Sequence, residues 1–266
     1  MMNIAQYTDS LVARGKCNFT LVEAQQALGK SRAATILSIE HLRHQGKVAT
    51  PAKGFYVIVM PEYRRYGCLP AEYFIPHLMQ SWNEPYYVCL VSAAAYHGAS
   101  HQQSQVFQVM LSRNRKPISC SQVKVRFFKK SGIEQTPTQH ISTRYSRLVV
   151  STPEATAVDL VNYMNQSGGL NRVVTILDEL QESMRPEELT KLAISDSKDF
   201  WKQRLGYLLE KLGANELAES IYQILQQKKG MRTVLLDPSY RAESREIYNK
   251  NSRWKIIENS SFESDL

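Results

Sequence analysis

Lys30, Ser31 and Arg32 stand in a row just after a glycine and ahead of a run with helical spacing. A cation, a hydroxyl and a guanidinium at a helix start form a set suited to oxyanions. The first N–H groups of a helix have no partner within it, and that end carries partial positive charge. Both features favour phosphate. The Arg32 fork can also meet guanine, and Thr35 and Ser38, further along the same helix, can contact bases or phosphate. Arg43, Lys47, Lys53 and Tyr56 come next, and they would let an element behind that helix grip a nucleic-acid backbone. These nine residues are the candidate DNA contacts.

A second concentration of charge lies downstream. Between residues 105 and 147 there are nine Lys/Arg (Arg113, Arg115, Lys116, Lys124, Arg126, Lys129, Lys130, Arg144 and Arg147) against one acid, Glu134. Residues 1–65 hold nine Lys/Arg against four acids, a net +5, and the later block is net +8. The chain as a whole is +8, so the remainder is net −5 and the positive charge is localised. Basic side chains can serve only to discourage sheet edges from pairing. Nine against one points further, to a second DNA contact or an acidic protein surface.

Other chemistries find little support. There is no P-loop, no Gly-x-Gly-x-x-Gly and no Gly-x-Ser-x-Gly. Cys17, Cys68, Cys89 and Cys120 lie far apart, and the histidines have no metal-ligand spacing with them or with one another. No catalytic set, metal or cofactor is expected. His97 and His101 read as histidines near a helix C-terminus, and Glu154 with Asp159 as a solvated pair. Two alternatives stay open: a ligand-responsive regulator with a pocket at Tyr86, Tyr96 and His97, and a nucleic-acid-processing enzyme.

The elements that must position these residues can be read from periodicity. Thr20 and Glu23 have capping-box spacing, Gly29 closes the short helix they start, and Ser31 caps the next, which stops at Gly46. On that second helix Ile36, Ile39 and Leu42 share a face expected to be buried, which leaves Leu37 and His41 off it. An earlier helix falls within 2–16, and the run to Val59, turning around Pro51 and Gly54, reads as a hairpin. Two short helices with a glycine-containing turn, then a wing, define a winged helix-turn-helix over residues 1–65. The connector 60–70 carries Pro61, Gly67 and Pro70. A larger mixed α/β domain is expected over 66–266. It would begin with a helix over 71–82 containing Pro76 and a buried helix over 86–98. Strands are expected next at 106–111, 123–128, 141–143 and 148–150, forming a small antiparallel-type sheet. A C-terminal helical part has helices starting at 153, 170, 186, 198 and 215, and two strand-like ends at 232–236 and 254–257. The fold class is α+β.

The 266 residues are 43% hydrophobic with a sequence pI near 9.2, a globular composition that favours an anionic partner. No apolar run is long enough to cross a bilayer, no secretory signal is visible, and scattered cysteines suit a reducing cytoplasm.

Several stretches resemble the AbiEi-type antitoxins. They are Leu69-Pro70-Ala71-Glu72-Tyr73-Phe74-Ile75, Pro85-Tyr86-Tyr87-Val88, Ser92-Ala93-Ala94-Ala95-Tyr96-His97-Gly98 and Gln105-Val106-Phe107-Gln108-Val109-Met110. Ser151-Thr152-Pro153-Glu154-Ala155-Thr156-Ala157, Gln203-Arg204-Leu205-Gly206-Tyr207-Leu208-Leu209-Glu210, Arg253-Trp254-Lys255-Ile256-Ile257 and the final Asp265-Leu266 extend the likeness. It spans nearly the whole chain and is most specific over 69–210; Cys89 stands where the family usually has glycine. The resemblance implies a transcriptional autorepressor that binds inverted repeats of its own promoter, with self-association on that operator. It also implies an antitoxin of a type IV abortive-infection system for phage defence. The toxin partner would be an AbiEii-like nucleotidyltransferase.

Overall fold

A computed structural model describes residues 2–99, 105–228, 230–239 and 248–262. His101 and Asp265-Leu266 lie outside the described residues. The fold is mixed α+β and divides into two compact units: residues 1–88 with 104–150, and residues 89–103 with 151–266. The boundary expected near residue 65 falls inside the first unit.

The first unit begins with α1 (Ile4–Ala13), β1 (Asn18–Thr20), α2 (Leu21–Leu28), α3 (Arg32–His44), β2 (Val48–Ala52) and β3 (Phe55–Ile58). The Asn3 side chain caps α1 in a reciprocal box with Gln6, and Thr20 caps α2 with Glu23 in the same way. Gly29 ends α2 at φ 61°, a left-handed conformation that glycine adopts without penalty. The three strands form a small antiparallel sheet in the order β1-β3-β2. Ile4, Tyr7, Leu11, Phe19, Leu28, Ile39, Leu42 and Tyr56 make one core beneath the helices. Ile36, expected to join it, is exposed, and Thr35 is buried in its place. The buried stripe of α3 therefore runs through Thr35, Ile39 and Leu42, one residue round from the expected line.

The other face of the hairpin shares a second core with residues further along the chain. Cys17, Phe55, Val57 and Val59 pack with Leu69, Phe74, Ile75, Leu78, Val109, Leu111 and Val125. This ties the hairpin to α4 (Ala71–Ser81) and to a six-stranded sheet. Its strands are β4 (Tyr86–Val88), β5 (Phe107–Leu111), β6 (Ile118–Cys120), β7 (Val123–Lys129), β8 (Thr138–Ser142) and β9 (Arg147–Ser151). Their order is β6-β7-β5-β4-β9-β8. The small antiparallel-type sheet expected is corrected on two counts. The sheet has six strands, including β4 and β6, which periodicity does not mark. It is also mixed, because β5 runs parallel to β7 and β4 parallel to β9. The β5–β7 pairing arises because the chain first runs out to the edge as β6 and then returns, so β7 is inserted between β5 and β6. Period-2 alternation carries no information on strand direction.

The helix expected over 86–98 is also corrected. Tyr86–Val88 is a strand, and only Leu90–Tyr96 is helical (α5). The break lies at Leu90, whose φ is +52°, a left-handed turn that a leucine adopts at a cost of roughly 1–2 kcal/mol.

The second unit joins α5 to α6 (Pro153–Asn162), α7 (Leu170–Leu180), α8 (Pro186–Ser195), α9 (Phe200–Lys211) and α10 (Asn215–Gln226). Three short strands, β10 (Val234–Leu235), β11 (Lys250–Asn251) and β12 (Ile256–Ile257), complete it. Trp201 and Trp254 are its largest buried side chains. Gly206 on α9 lies directly against the Trp254 ring, where an added Cβ would sit 2.0 Å from Cζ3. The Trp254 indole N–H donates to Glu210, and the Gln203 amide donates to the carbonyls of Arg232 and Trp254. The C-terminal segment is thereby clamped onto α9. Glu154 and Asp159, expected to be solvated, are buried. The Glu154 carboxylate accepts the Arg185 backbone N–H at 2.9 Å from the first turn of α6, where the helix end favours an anion.

Candidate nucleic-acid interface

The turn between α2 and α3 delivers Lys30, Ser31 and Arg32 to the surface together; all three are exposed. Ser31 is the N-cap of α3, with its hydroxyl accepting the Ala34 N–H. That leaves the side chains of Lys30 and Arg32 beside the helix end. No acid stands in the first turn. Lys47 leads into β2, and Lys53 sits in the two-residue turn between β2 and β3; both are exposed. Arg43 is exposed in the last turn of α3 and paired at 2.7 Å with Glu40. Ser38 is half-buried and its hydroxyl donates to the Ala34 carbonyl, which leaves the oxygen able to accept.

Two of the nine candidates are withdrawn from the surface. Thr35 is fully buried and its hydroxyl donates to the Ser31 carbonyl at 2.9 Å, so it supports the start of α3. Tyr56 is buried with its ring stacked on Phe19 at a centroid distance of 5.4 Å. Burial pushes the Tyr56 phenol up; the Glu40 carboxylate adds to this and Arg32 opposes it. A helical wheel drawn one residue off, and a strand read as half-exposed, account for both corrections. The most exposed apolar residue of the helix is one to which sequence reasoning gives no role: Leu37, at 74%.

The later basic block is divided by its contacts. Arg115 is bound to Glu84, whose side chain is 1% exposed, at 2.6 Å, and its guanidinium lies 4.1 Å from the Trp82 ring centroid. Arg113 approaches the other oxygen of Glu84 at 3.4 Å, an ion pair without hydrogen-bond geometry. Lys130 donates to the Tyr87 hydroxyl, and Arg144 pairs with Glu62 and stacks on Tyr145. Arg126 lies over Phe128. Lys129 is exposed with a partner of its own. Lys116, Lys124 and Arg147 are exposed and make no ion pair among the described residues.

His97 caps α5, and its Nε2–H donates to the Ser151 carbonyl at 2.8 Å. Burial pushes its pKa down, against the Ser151 bond and Glu154, which push it up. An open cleft of about 460 Å³ in the second unit is lined by Asp199, Gln203, Lys228 and Arg232 among others, and includes none of Tyr86, Tyr96 or His97. Among the described residues, no group of three or more His, Cys, Asp or Glu is placed to hold a metal ion. No helix among them is long and apolar enough to cross a membrane.

The described residues thus set an exposed basic helix start ahead of a hairpin, with the later cations spread over β7, β9 and the loops beside them, on an α+β scaffold. Residues 86–211 match the family model of the AbiEi antitoxin C-terminal domain. The resemblance to the AbiEi-type antitoxins drawn from the sequence is therefore borne out over residues 86–211. That match supports a role as antitoxin or regulator in a toxin–antitoxin pair. The fold is similar to the crystal structure of the RV2827C protein from Mycobacterium tuberculosis. The TM-score is 0.69 at 18% identity, over 95% of this chain and 90% of that one. At that identity the likeness is one of fold. No curated protein matches the chain.

Proposed function

We propose that residues 1–65 form a winged helix-turn-helix that binds double-stranded DNA at inverted repeats of its own promoter. On this reading residues 66–266 form the antitoxin domain, which neutralises a nucleotidyltransferase-like toxin, and the chain itself performs no catalysis. Both jobs belong to the cytoplasm. The observation that carries the DNA reading is the exposed Lys30-Ser31-Arg32 start of α3, held between α2 and the β2–β3 hairpin. A recognition helix with its N-terminal residues free is what this motif presents to the major groove. The family match supports the antitoxin role. Lys116, Lys124 and Arg147, exposed and without ion pairs among the described residues, are the residues of the later block proposed to meet the toxin or the operator.

The test is binding of the full chain to the duplex upstream of its gene across 50–200 mM salt. Lys30, Arg32, Arg43, Lys47 and Lys53 offer five cations. If each neutralises one phosphate, the log–log slope of affinity against salt is about −4 to −5 per bound copy. Replacing Arg32 and Lys30 with Ala should flatten that slope by about 2. A slope near zero in the parent protein would end the DNA reading.

A further inference from the structure

The first two turns of α3 present an apolar face to solvent. Ala33, Ala34, Ile36 and Leu37 are all exposed, Leu37 at 74%. Single exposed apolar residues are ordinary on any protein. Here four stand together on one helix, flanked at its start by Lys30 and Arg32 and with no acid before Glu40. The flanking charge selects a polyanion as the occupant of this face. The apolar side chains then restrict what that polyanion can show them.

We infer that this face reads thymine, and that Leu37 with Ala33 is seated on thymine 5-methyl groups in the major groove. The inference rests on the DNA-binding reading given above. The major-groove edge of B-DNA carries one methyl group, the C5-methyl of thymine; the N7, O6, N4, N6 and O4 groups that distinguish the base pairs there donate or accept a hydrogen bond. A leucine side chain can do neither. Set against a G·C edge it would strip water from N7, O6 and N4 and give nothing back, a loss for each group left unpaired. Set against a thymine it removes apolar surface from water on both sides. Ala33 and Leu37 are four residues apart, so they lie on the same side of the helix one turn apart. Arg32 beside them is the group that can take a guanine. The operator half-site should thus combine thymines under Ala33 and Leu37 with a guanine or phosphate under Arg32.

The experiment is binding of the full chain and of its Leu37→Ala variant to the promoter duplex made with dTTP or with dUTP. Uracil pairs as thymine does and lacks only the methyl group. Leu37 is exposed, so the substitution leaves the core intact, and an unchanged thermal transition checks this. The parent protein should bind the thymine duplex more tightly by about fourfold for each methyl contacted. Leu37→Ala should weaken binding to the thymine duplex and reduce the preference over uracil to the part that Ala33 supplies. Equal affinity of the parent protein for both duplexes, or a preference undiminished in Leu37→Ala, overturns the thymine inference and leaves DNA binding standing. Failure to bind either duplex overturns the DNA reading with it. A change of oligomeric state in Leu37→Ala would assign the face to a second copy of the chain and also overturn the inference.

Discussion

Replacing Arg115 with Ala strips the buried Glu84 carboxylate of its main partner. In the intact protein Arg115 Nε and Nη2 both lie 2.6 Å from Glu84 Oε2, and the Glu84 side chain is 1% exposed. Among the described residues the only other cation paired with it is Arg113, 3.4 Å from Oε1 and itself 70% exposed. Breaking a buried pair by removing one partner costs about 3–5 kcal/mol, because the remaining charge stays in a low dielectric. Arg115 is 30% exposed, which favours the lower end of that range. The lost stacking on Trp82 restores about 0.5–1 kcal/mol to the penalty. Arg115→Ala should therefore cost about 3–4 kcal/mol of stability. Arg113→Ala, an exposed partner at long range, should cost no more than about 1 kcal/mol. The assay is urea denaturation of the full chain, monitored by far-ultraviolet circular dichroism and by tryptophan fluorescence. A Glu84→Gln background supplies the control, because removing the buried charge should remove most of the penalty for Arg115→Ala. If Arg115→Ala unfolds within about 1 kcal/mol of the parent, or costs the same with Gln at position 84, the pair is not what holds this corner of the sheet.

The second unit supplies two further expected outcomes. Gly206→Ala would place a methyl group 2.0 Å from the Trp254 ring, so it should destabilise by about 1–3 kcal/mol or release the C-terminal segment; a fully parental thermal transition with Trp254 still protected from quenching would refute this packing. His97 has its pKa lowered from the ordinary value of 6.5, so the fold prefers the neutral ring. The unfolded chain then binds the proton more readily, and stability should be full above 6.5 and fall as pH drops through and below that value. His97→Gln should lose that part of the acid slope in denaturation measured from about pH 8 to about pH 5; an unchanged slope would show that other groups carry it.

Helix ends were legible because their chemistry is local. Thr20 with Glu23, Gly29, Ser31 and Gly46 mark stops and starts through bonds spanning three or four residues, and the structure keeps each of them. The same holds for Thr152 before Pro153. What could not be read depends on partners distant in sequence. The reach from Tyr86 to Val91 is apolar throughout, and only pairing of Tyr86–Val88 with Leu111–Val109 decides that it starts as a strand. Thr35 and Ile36 are neighbours on α3, and their burial was interchanged because a polar residue is assigned to water by default. The Thr35 hydroxyl meets the Ser31 carbonyl, so burial leaves no unsatisfied group. The seven candidates that stay at least partly exposed needed no such knowledge.

The later basic block shows how charge counts and charge roles differ. A run of nine cations against one acid reads as a single surface for a partner. In the fold Arg115 is committed to Glu84 and Trp82, Arg144 to Glu62 and Tyr145, Lys130 to Tyr87 and Arg126 to Phe128. Only Arg115 and Lys130 are drawn partly inward by these contacts; Arg126 and Arg144 stay exposed. The edge-protection account holds only in part: the edge strands β6 and β8 carry no Lys or Arg and Lys124 is covered by β6, but β6 pairs only with Val123–Val125, so Arg126 and Lys129 stand on a stretch of β7 that β6 leaves uncovered. Protecting an edge from pairing needs the charge on the edge itself. Lys116, Lys124 and Arg147 are left with neither an ion pair among the described residues nor an edge to guard. An exposed cation without an ion pair adds little to stability, so replacing any of these three with Ala should leave thermal unfolding within about 1 kcal/mol of the parent.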